Sequence, residues 1–268
     1  MRHSPQLQTI FHVLLSYAGF LLTNRLVSTL LGRLPVFLDD WVTDLAAFLT
    51  AVLVFLFLYR RMDPAAVPRN DRCRCSVPMA LVHVGYGFFW LVFLMFLVLL
   101  AFPVEGDPVR EGLLPRILTA VLVHPLLEEI LFRRICQDRL LTLSEVREET
   151  ETVDENASVR SKEPVNTRAG MLFAVLTQAL LFALVHTGSG GMLYGFGGGV
   201  VLGILMLRTG RLWVPVVCHM LVNLRSVTYP WLPETVTYGL DLLWLAAGLA
   251  CGVAFWIHRY RNAGKEKI

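Results

Sequence analysis

Two adjacent carboxylates followed four residues later by a cation stand inside an apolar stretch, Leu126-Leu127-Glu128-Glu129-Ile130-Leu131-Phe132-Arg133. Charged side chains are costly at membrane depth, where they face a cavity or a partner rather than lipid. Helical spacing separates the two acids. Glu129 and Arg133 stand at i and i+4, share a face and can pair, whereas Glu128 is rotated by about 100° and is left free. The paired acid reads as structural support and the free one as a candidate base. Two more polar clusters lie downstream. In Phe182-Ala183-Leu184-Val185-His186 the aromatic ring falls one turn before the imidazole on the same face, where it limits the solvation of the histidine. In His219-Met220-Leu221-Val222-Asn223 two hydrogen-bonding side chains share one face of an otherwise apolar helix, an arrangement able to hold an oxyanion. Each cluster also has a plainer reading. Acids can balance Arg133 and Arg134, a histidine can be a hydrogen-bonded core residue, and an i, i+4 polar pair can join two helices. A carboxylate, two imidazoles and an amide on three separate apolar runs nevertheless exceed what core polarity requires.

The elements that must position these groups are membrane helices. Of 268 residues, 55% are hydrophobic and 17% charged, and the mean hydropathy is +0.58, well above an ordinary soluble domain. Crossing ~30 Å of hydrocarbon at ~1.5 Å per residue takes about 20 mostly apolar residues. Runs near 9–30, 41–59, 78–102, 113–141, 169–187, 193–207, 212–228 and 238–257 are candidates, the sixth short and Gly-led. The expected fold is an all-α membrane protein with about eight transmembrane helices. The first run follows a basic residue but lacks a small-residue cleavage site and precedes further runs, so it reads as a retained helix and not a signal peptide. The segment 60–77 carries five Arg, while the next polar segment, Pro103 to Gly112, is net acidic. Basic residues favour the inner side, so with alternating spans both termini are expected in the cytosol, in the plasma membrane if the source is bacterial.

The whole chain, 1–268, reads as a single polytopic domain with a motif-bearing core at 113–224. The polar stretch 142–168 mixes acids, bases and Pro, as a solvated cytosolic linker does. A net charge of +3 set beside apolar runs gives no reason to expect a nucleic-acid partner. Five Cys, at 73, 75, 136, 218 and 251, are too scattered for a disulfide framework or a zinc knuckle.

The ordered motifs carry a family resemblance. EEILFR at 128–133 matches an EExxxR pattern, FALVH at 182–186 an FxxxH pattern, and HMLVN at 219–223 a final HxxxN pattern, with the Gly-rich segment 194–219 leading into His219. In these respects the chain resembles the CPBP intramembrane proteases, which include type II CAAX prenyl endopeptidases and bacteriocin-processing or self-immunity proteins. The resemblance covers about 113–224; the first three runs and the last match only in being apolar. It implies an intramembrane endopeptidase in which Glu128 and His186 activate a water and His219 and Asn223 stabilise the oxyanion. Glu129, Arg133 and Phe182 would support them, and the substrate would be a membrane-associated peptide or protein within the lipid bilayer. A carboxylate held away from bulk water is basic enough to take a proton from water and return it to the leaving amine. The cofactor is unknown. Glu128, His186 and His219 would suit zinc in kind, but no HExxH occurs, and a metal-free glutamate mechanism is favoured.

His124 lies one turn before Glu128 and could tune it, although Pro125 beside it points to a kink instead. Other functions remain in view. A rhomboid-like serine protease would use Ser189 but leaves Glu128, Glu129 and Arg133 unexplained. A secondary transporter or channel also places acids and imidazoles at membrane depth, and a non-catalytic self-immunity or scaffold protein would need none of them for chemistry. Depth poses a further constraint. Counted from the inner side, His219 is about seven residues into its run and His186 about sixteen, a difference of ~13 Å at ~1.5 Å per residue. A fifth helix projecting below the bilayer, or a tilted or broken seventh, would reconcile them.

Overall fold

In a computed structural model of the chain, the described residues are 5–33, 39–62, 75–102, 112–142, 145–150, 161–186 and 188–263. Eight helical segments follow in order: α1 Pro5–Leu31, α2 Asp40–Met62, α3 Val77–Ala101, α4 over 113–142, α5 Arg168–Ala183, α6 Gly188–Thr209, α7 Trp213–Thr228 and α8 Glu234–Ala263. Five of them, α1, α2, α3, α6 and α8, are long and apolar enough to cross a membrane. The outward faces are apolar: Leu22, Leu53, Phe57 and Leu242 are all exposed, as lipid-facing residues are and as a water-facing surface rarely is. With 16 residues each, α5 and α7 reach only ~24 Å at ~1.5 Å per residue. The boundaries differ from the sequence reading around His186. There α5 stops at Ala183 and α6 begins at Gly188, whose φ of 71° suits only glycine comfortably.

The break in helical geometry falls in α4, not α7. Two π-helical stretches, Ile117–Val123 and Ile130–Gln137, flank the short α-helical piece His124–Glu129. Within the polar stretch between α4 and α5 lies one short antiparallel strand pair in an otherwise helical chain. Glu145–Thr150 and Ser161–Asn166 pair antiparallel, with Val146 opposite Val165 and Glu149 opposite Lys162, pairings that composition alone does not reveal.

Two apolar clusters form the interior. One joins α1, α2, α4 and α5 through Tyr17, Phe20, Phe48, Phe55, Phe132 and Phe182. The other joins α3, α6 and α7 through Phe88, Leu91, Leu202, Leu205, Val214 and Val222. Close approach of α5 and α6 depends on a glycine every fourth residue of α6. A Cβ on Gly195 would lie 2.8 Å from the His186 ring, one on Gly199 2.8 Å from Ala179 Cα, and one on Gly203 2.5 Å from Gln178. Small residues at this spacing let membrane helices pack backbone to backbone. The amide of Gln178 donates to the Gly199 carbonyl at 2.7 Å, and that of Gln137 donates to Gly203 at 3.0 Å, tying α5 and α4 to the same glycine face. On the other side of α7, Arg225 holds Asp241 of α8 through both carboxylate oxygens, at 2.8 and 2.7 Å.

Candidate active site

The local winding of α4 begins the site. The His124 N–H bonds the Thr119 carbonyl five residues back, the π pattern. The next donor in that register would be residue 125, bonding Ala120. Pro125 has no N–H, so the Ala120 carbonyl is left for a side chain, and the Asn223 amide of α7 donates to it at 2.8 Å. A proline in one helix thereby fixes the amide of another.

Four residues on, Glu129 is fully buried, and its two oxygens serve different partners. Oε2 stands 3.0 Å from Arg133 Nε, and Oε1 accepts from His219 Nδ1 at 3.0 Å. Because a carboxylate paired with a guanidinium can only accept, the Nδ1 of His219 carries the proton, an assignment made from the bonding pattern. The buried Arg133 guanidinium lies 4.4 Å from the centre of the Phe182 ring, while its Nη1 and Nη2 have no hydrogen-bond partner among the described residues. The neighbouring acid is placed otherwise. Glu128 is 14% exposed, into a cavity, and its Oε2 is 3.8 Å from His219 Nε2, beyond direct hydrogen bonding.

On α5 the carbonyl of Phe182, one turn back, accepts from His186 Nδ1 at 2.9 Å. That bond fixes the neutral tautomer in which Nε2 keeps a lone pair for a ligand or water. The Phe182 ring stands between the two imidazoles, 4.8 Å from that of His186 and 5.6 Å from that of His219, edge-on to both. Glu128, His186, His219 and Asn223 line one cavity of about 240 Å³, together with His124 and Tyr194. A second cavity of about 440 Å³ shares His124, Glu128, Val185 and His186 with the first and extends between α1 and α2.

Two of these lining groups carry unspent hydrogen-bonding capacity. His124 Nε2 and the Tyr194 hydroxyl are buried without a hydrogen-bond partner among the described residues, and the His124 ring rests 4.2 Å from that of Phe48. Tyr194 was missed in the sequence, where its one signal is a hydroxyl among the glycines of α6. Several other polar residues stay outside the cavity. Ser189 is exposed at the start of α6, Cys218 is buried with its thiol toward the Val84 carbonyl of α3, and His83 bonds Met79 and packs against Phe255. Cys75, Cys136, Cys218 and Cys251 are free thiols; Cys73 lies outside the described residues. Among the described residues, no three His, Cys, Asp or Glu cluster at metal-holding spacing.

Residues 110–225 match the family model described as type II CAAX prenyl endopeptidase Rce1-like, which spans α4 to α7 and leaves out α1 to α3 and α8. No curated protein and no solved structure matches the chain.

Proposed function

From a chain whose residues 110–225 form an Rce1-like domain of the CPBP protease family, we propose a metal-free intramembrane endopeptidase in which Glu128 is the general base. The chain is an integral membrane protein of a protease family, and its substrate class is a peptide or protein in the membrane. The observation that carries the mechanism is the convergence of all four motif side chains on one cavity. A water bonded to Glu128 and to the free Nε2 of His186 attacks the scissile carbonyl carbon, giving its proton to Glu128. The carbonyl π electrons move to oxygen, where the second amide N–H of Asn223 and the Nε2 side of His219 receive the charge. Donation from Nε2 requires the doubly protonated ring, a cation with Glu129 on one nitrogen and Glu128 facing the other. Collapse breaks the C–N bond, and Glu128 returns the proton to the leaving amine. Glu129, Arg133 and Phe182 act through His219 and His186 and touch no reacting atom.

The test is cleavage of quenched peptides, farnesylated at cysteine or unmodified, by purified protein in detergent, with and without chelator. Chelator-insensitive cleavage that disappears in Glu128→Gln supports the reading. Loss of activity on chelation that zinc restores moves the site to a metal mechanism, and saturable solute uptake without cleavage replaces it with a transporter. The same reading includes eight membrane crossings with both termini cytosolic, in the plasma membrane of a bacterial source. Single cysteines introduced at 69 and 106 would then label from opposite sides, and labelling of both from one side would reject that topology.

A further inference from the structure

Charge developing on a carbonyl oxygen needs hydrogen-bond donors, and the smaller cavity is better supplied with acceptors. Glu128 brings a carboxylate to it, and His186 brings the lone pair of Nε2, its Nδ1 being committed to the Phe182 carbonyl. Donors are fewer. One N–H of Asn223 is held by the Ala120 carbonyl, which leaves one to give. With Nδ1 of His219 bonded to Glu129, Nε2 of that ring donates only after a second protonation. One more group on the cavity wall donates while neutral. The Tyr194 hydroxyl is buried and has no hydrogen-bond partner among the described residues, so the fold bears the loss of its hydration without a protein bond in return.

Its place in the site is specific. Tyr194, Gly198 and Leu202 share one face of α6 and are the residues through which that helix lines the cavity; only the tyrosine has a polar side chain. Glu128, His124 and His186 line both cavities, whereas Tyr194, His219 and Asn223 line only the smaller one. The hydroxyl therefore belongs with the groups that receive charge. Its ring packs against the cluster of Leu91, Leu202 and Val222, the last adjoining Asn223. One turn along α6, a Cβ on Gly198 would meet Leu91 at 3.6 Å, an ordinary contact that leaves the wall beside the ring uncrowded.

We propose that Tyr194 is a further catalytic residue, its hydroxyl donating to the oxygen of the attacked carbonyl beside the Asn223 amide. This rests on the peptidase reading and adds a donor from α6, a helix to which that reading gives no chemical part. As the carbonyl π electrons pass to oxygen, the bond from the hydroxyl strengthens, and the oxyanion has two neutral donors before His219 takes up a second proton. Tyr194 keeps its own proton throughout. The proton taken from water still travels through Glu128 to the leaving amine.

The test is Tyr194→Phe, which keeps the ring and removes the donor. In cleavage of the farnesylated peptide by purified protein in detergent, kcat should fall ~10²-fold, the usual loss of one oxyanion donor, with KM little changed. Thermal unfolding should stay where it was or rise, because the variant buries one unpaired polar group fewer. A second measurement does not depend on turnover. A farnesylated peptide with a statine-type carbinol in place of the scissile carbonyl should bind Tyr194→Phe about tenfold more weakly than wild type, the worth of one neutral hydrogen bond. The plain peptide should bind Glu128→Gln equally well with or without Tyr194→Phe. An unchanged kcat, a lower unfolding temperature, or equal weakening of both peptides overturns the proposal, as does a carbinol peptide that binds neither protein. Binding of the carbinol peptide through Tyr194 by a wild-type protein that cleaves nothing keeps the donor and removes the peptidase reading.

Discussion

Replacing Glu129 by Gln isolates what the buried pair in α4 does for the fold. Arg133 is fully buried, with Glu129 as its contact carboxylate at 3.0 Å. Breaking such a pair from one side costs ~3–5 kcal/mol, because an uncompensated charge stays in the interior. Little else in the surroundings lowers that figure. Nη1 and Nη2 find no hydrogen-bond acceptor among the described residues, and the Phe182 ring at 4.4 Å offers a desolvated cation–π contact of about 2 kcal/mol, less than the pair it would have to replace. The loss should thus fall in the upper part of the range, a change of roughly 10³-fold in the folded-to-unfolded ratio, against a total stability of about 5–15 kcal/mol. Membrane expression and thermal unfolding in detergent, followed by size exclusion, read it directly. The double variant Glu129→Gln/Arg133→Met should recover most of the loss, since replacing a buried pair by uncharged side chains of similar volume is often neutral or favourable. The reasoning fails if Glu129→Gln is as stable as the parent, or if the double variant is no better than the single one.

Glu128→Gln should behave in the opposite way, keeping its thermal stability while cleavage falls ~10²–10⁴-fold; a wild-type rate in the folded variant would remove Glu128 as the base. Pro125→Ala restores a backbone donor that competes with Asn223 for the Ala120 carbonyl, so kcat should drop about tenfold with KM and folded yield retained, and an unchanged kcat would show that this lock does not position the amide. Gly199→Ala would set a Cβ 2.8 Å from Ala179 Cα, backbone that cannot swing aside; a destabilisation of ~1–3 kcal/mol is expected from overpacking, and a neutral result in detergent unfolding would mean α5 and α6 are free to separate.

Helical spacing shows which side chains share a face, and it therefore reveals pairs within one helix better than partners across helices. Glu129 with Arg133, Phe182 with His186 and His219 with Asn223 are all i, i+4 relations visible in the string of residues. The bond between Glu129 and His219 joins positions 90 residues apart, and no local pattern announces it. It also changes the picture of the site, because the acid paired with Arg133 holds an imidazole as well. The apolar runs coincide with the helical segments because hydrophobic length decides them, but their ends did not follow hydropathy. Gly188 ends the connection after His186 by backbone conformation, and α6 begins there rather than at the apolar run, while the glycines at 195, 199 and 203 set how closely it packs on α5. The π winding of α4 lay hidden too. Pro125 signals that a hydrogen bond is missing, not which carbonyl loses it or which side chain takes its place.

The depth mismatch between the two histidines is resolved by side chains, with α7 left unbroken. The glycine face of α6 holds α5 antiparallel to it, with Gly203 beside Gln178, Gly199 beside Ala179 and Gly195 beside Ala183 and His186. His186 must then sit toward the end of α6 where that helix begins, while α7 starts just beyond its other end, so His219, six residues into α7, stays lower. Phe182 fills the interval, its ring edge-on to both imidazoles, and it lines one cavity together with His219, Asn223 and His186. A tetrahedral carbon needs donors and base within ~3 Å of its own oxygens, not at one level of the membrane. Glu128 faces His219 from α4 and shares both cavities with His186, so on the proposed peptidase reading these groups would act together on one bound peptide. Shortening the filler tests this. Phe182→Ala removes the contact of both imidazoles and the ring beneath Arg133, costing ~3–5 kcal/mol of stability. Phe182→Leu keeps much of the volume and should stay folded while kcat falls more than KM rises. A Phe182→Leu protein with wild-type kcat would show that the two histidines hold their places without the ring between them.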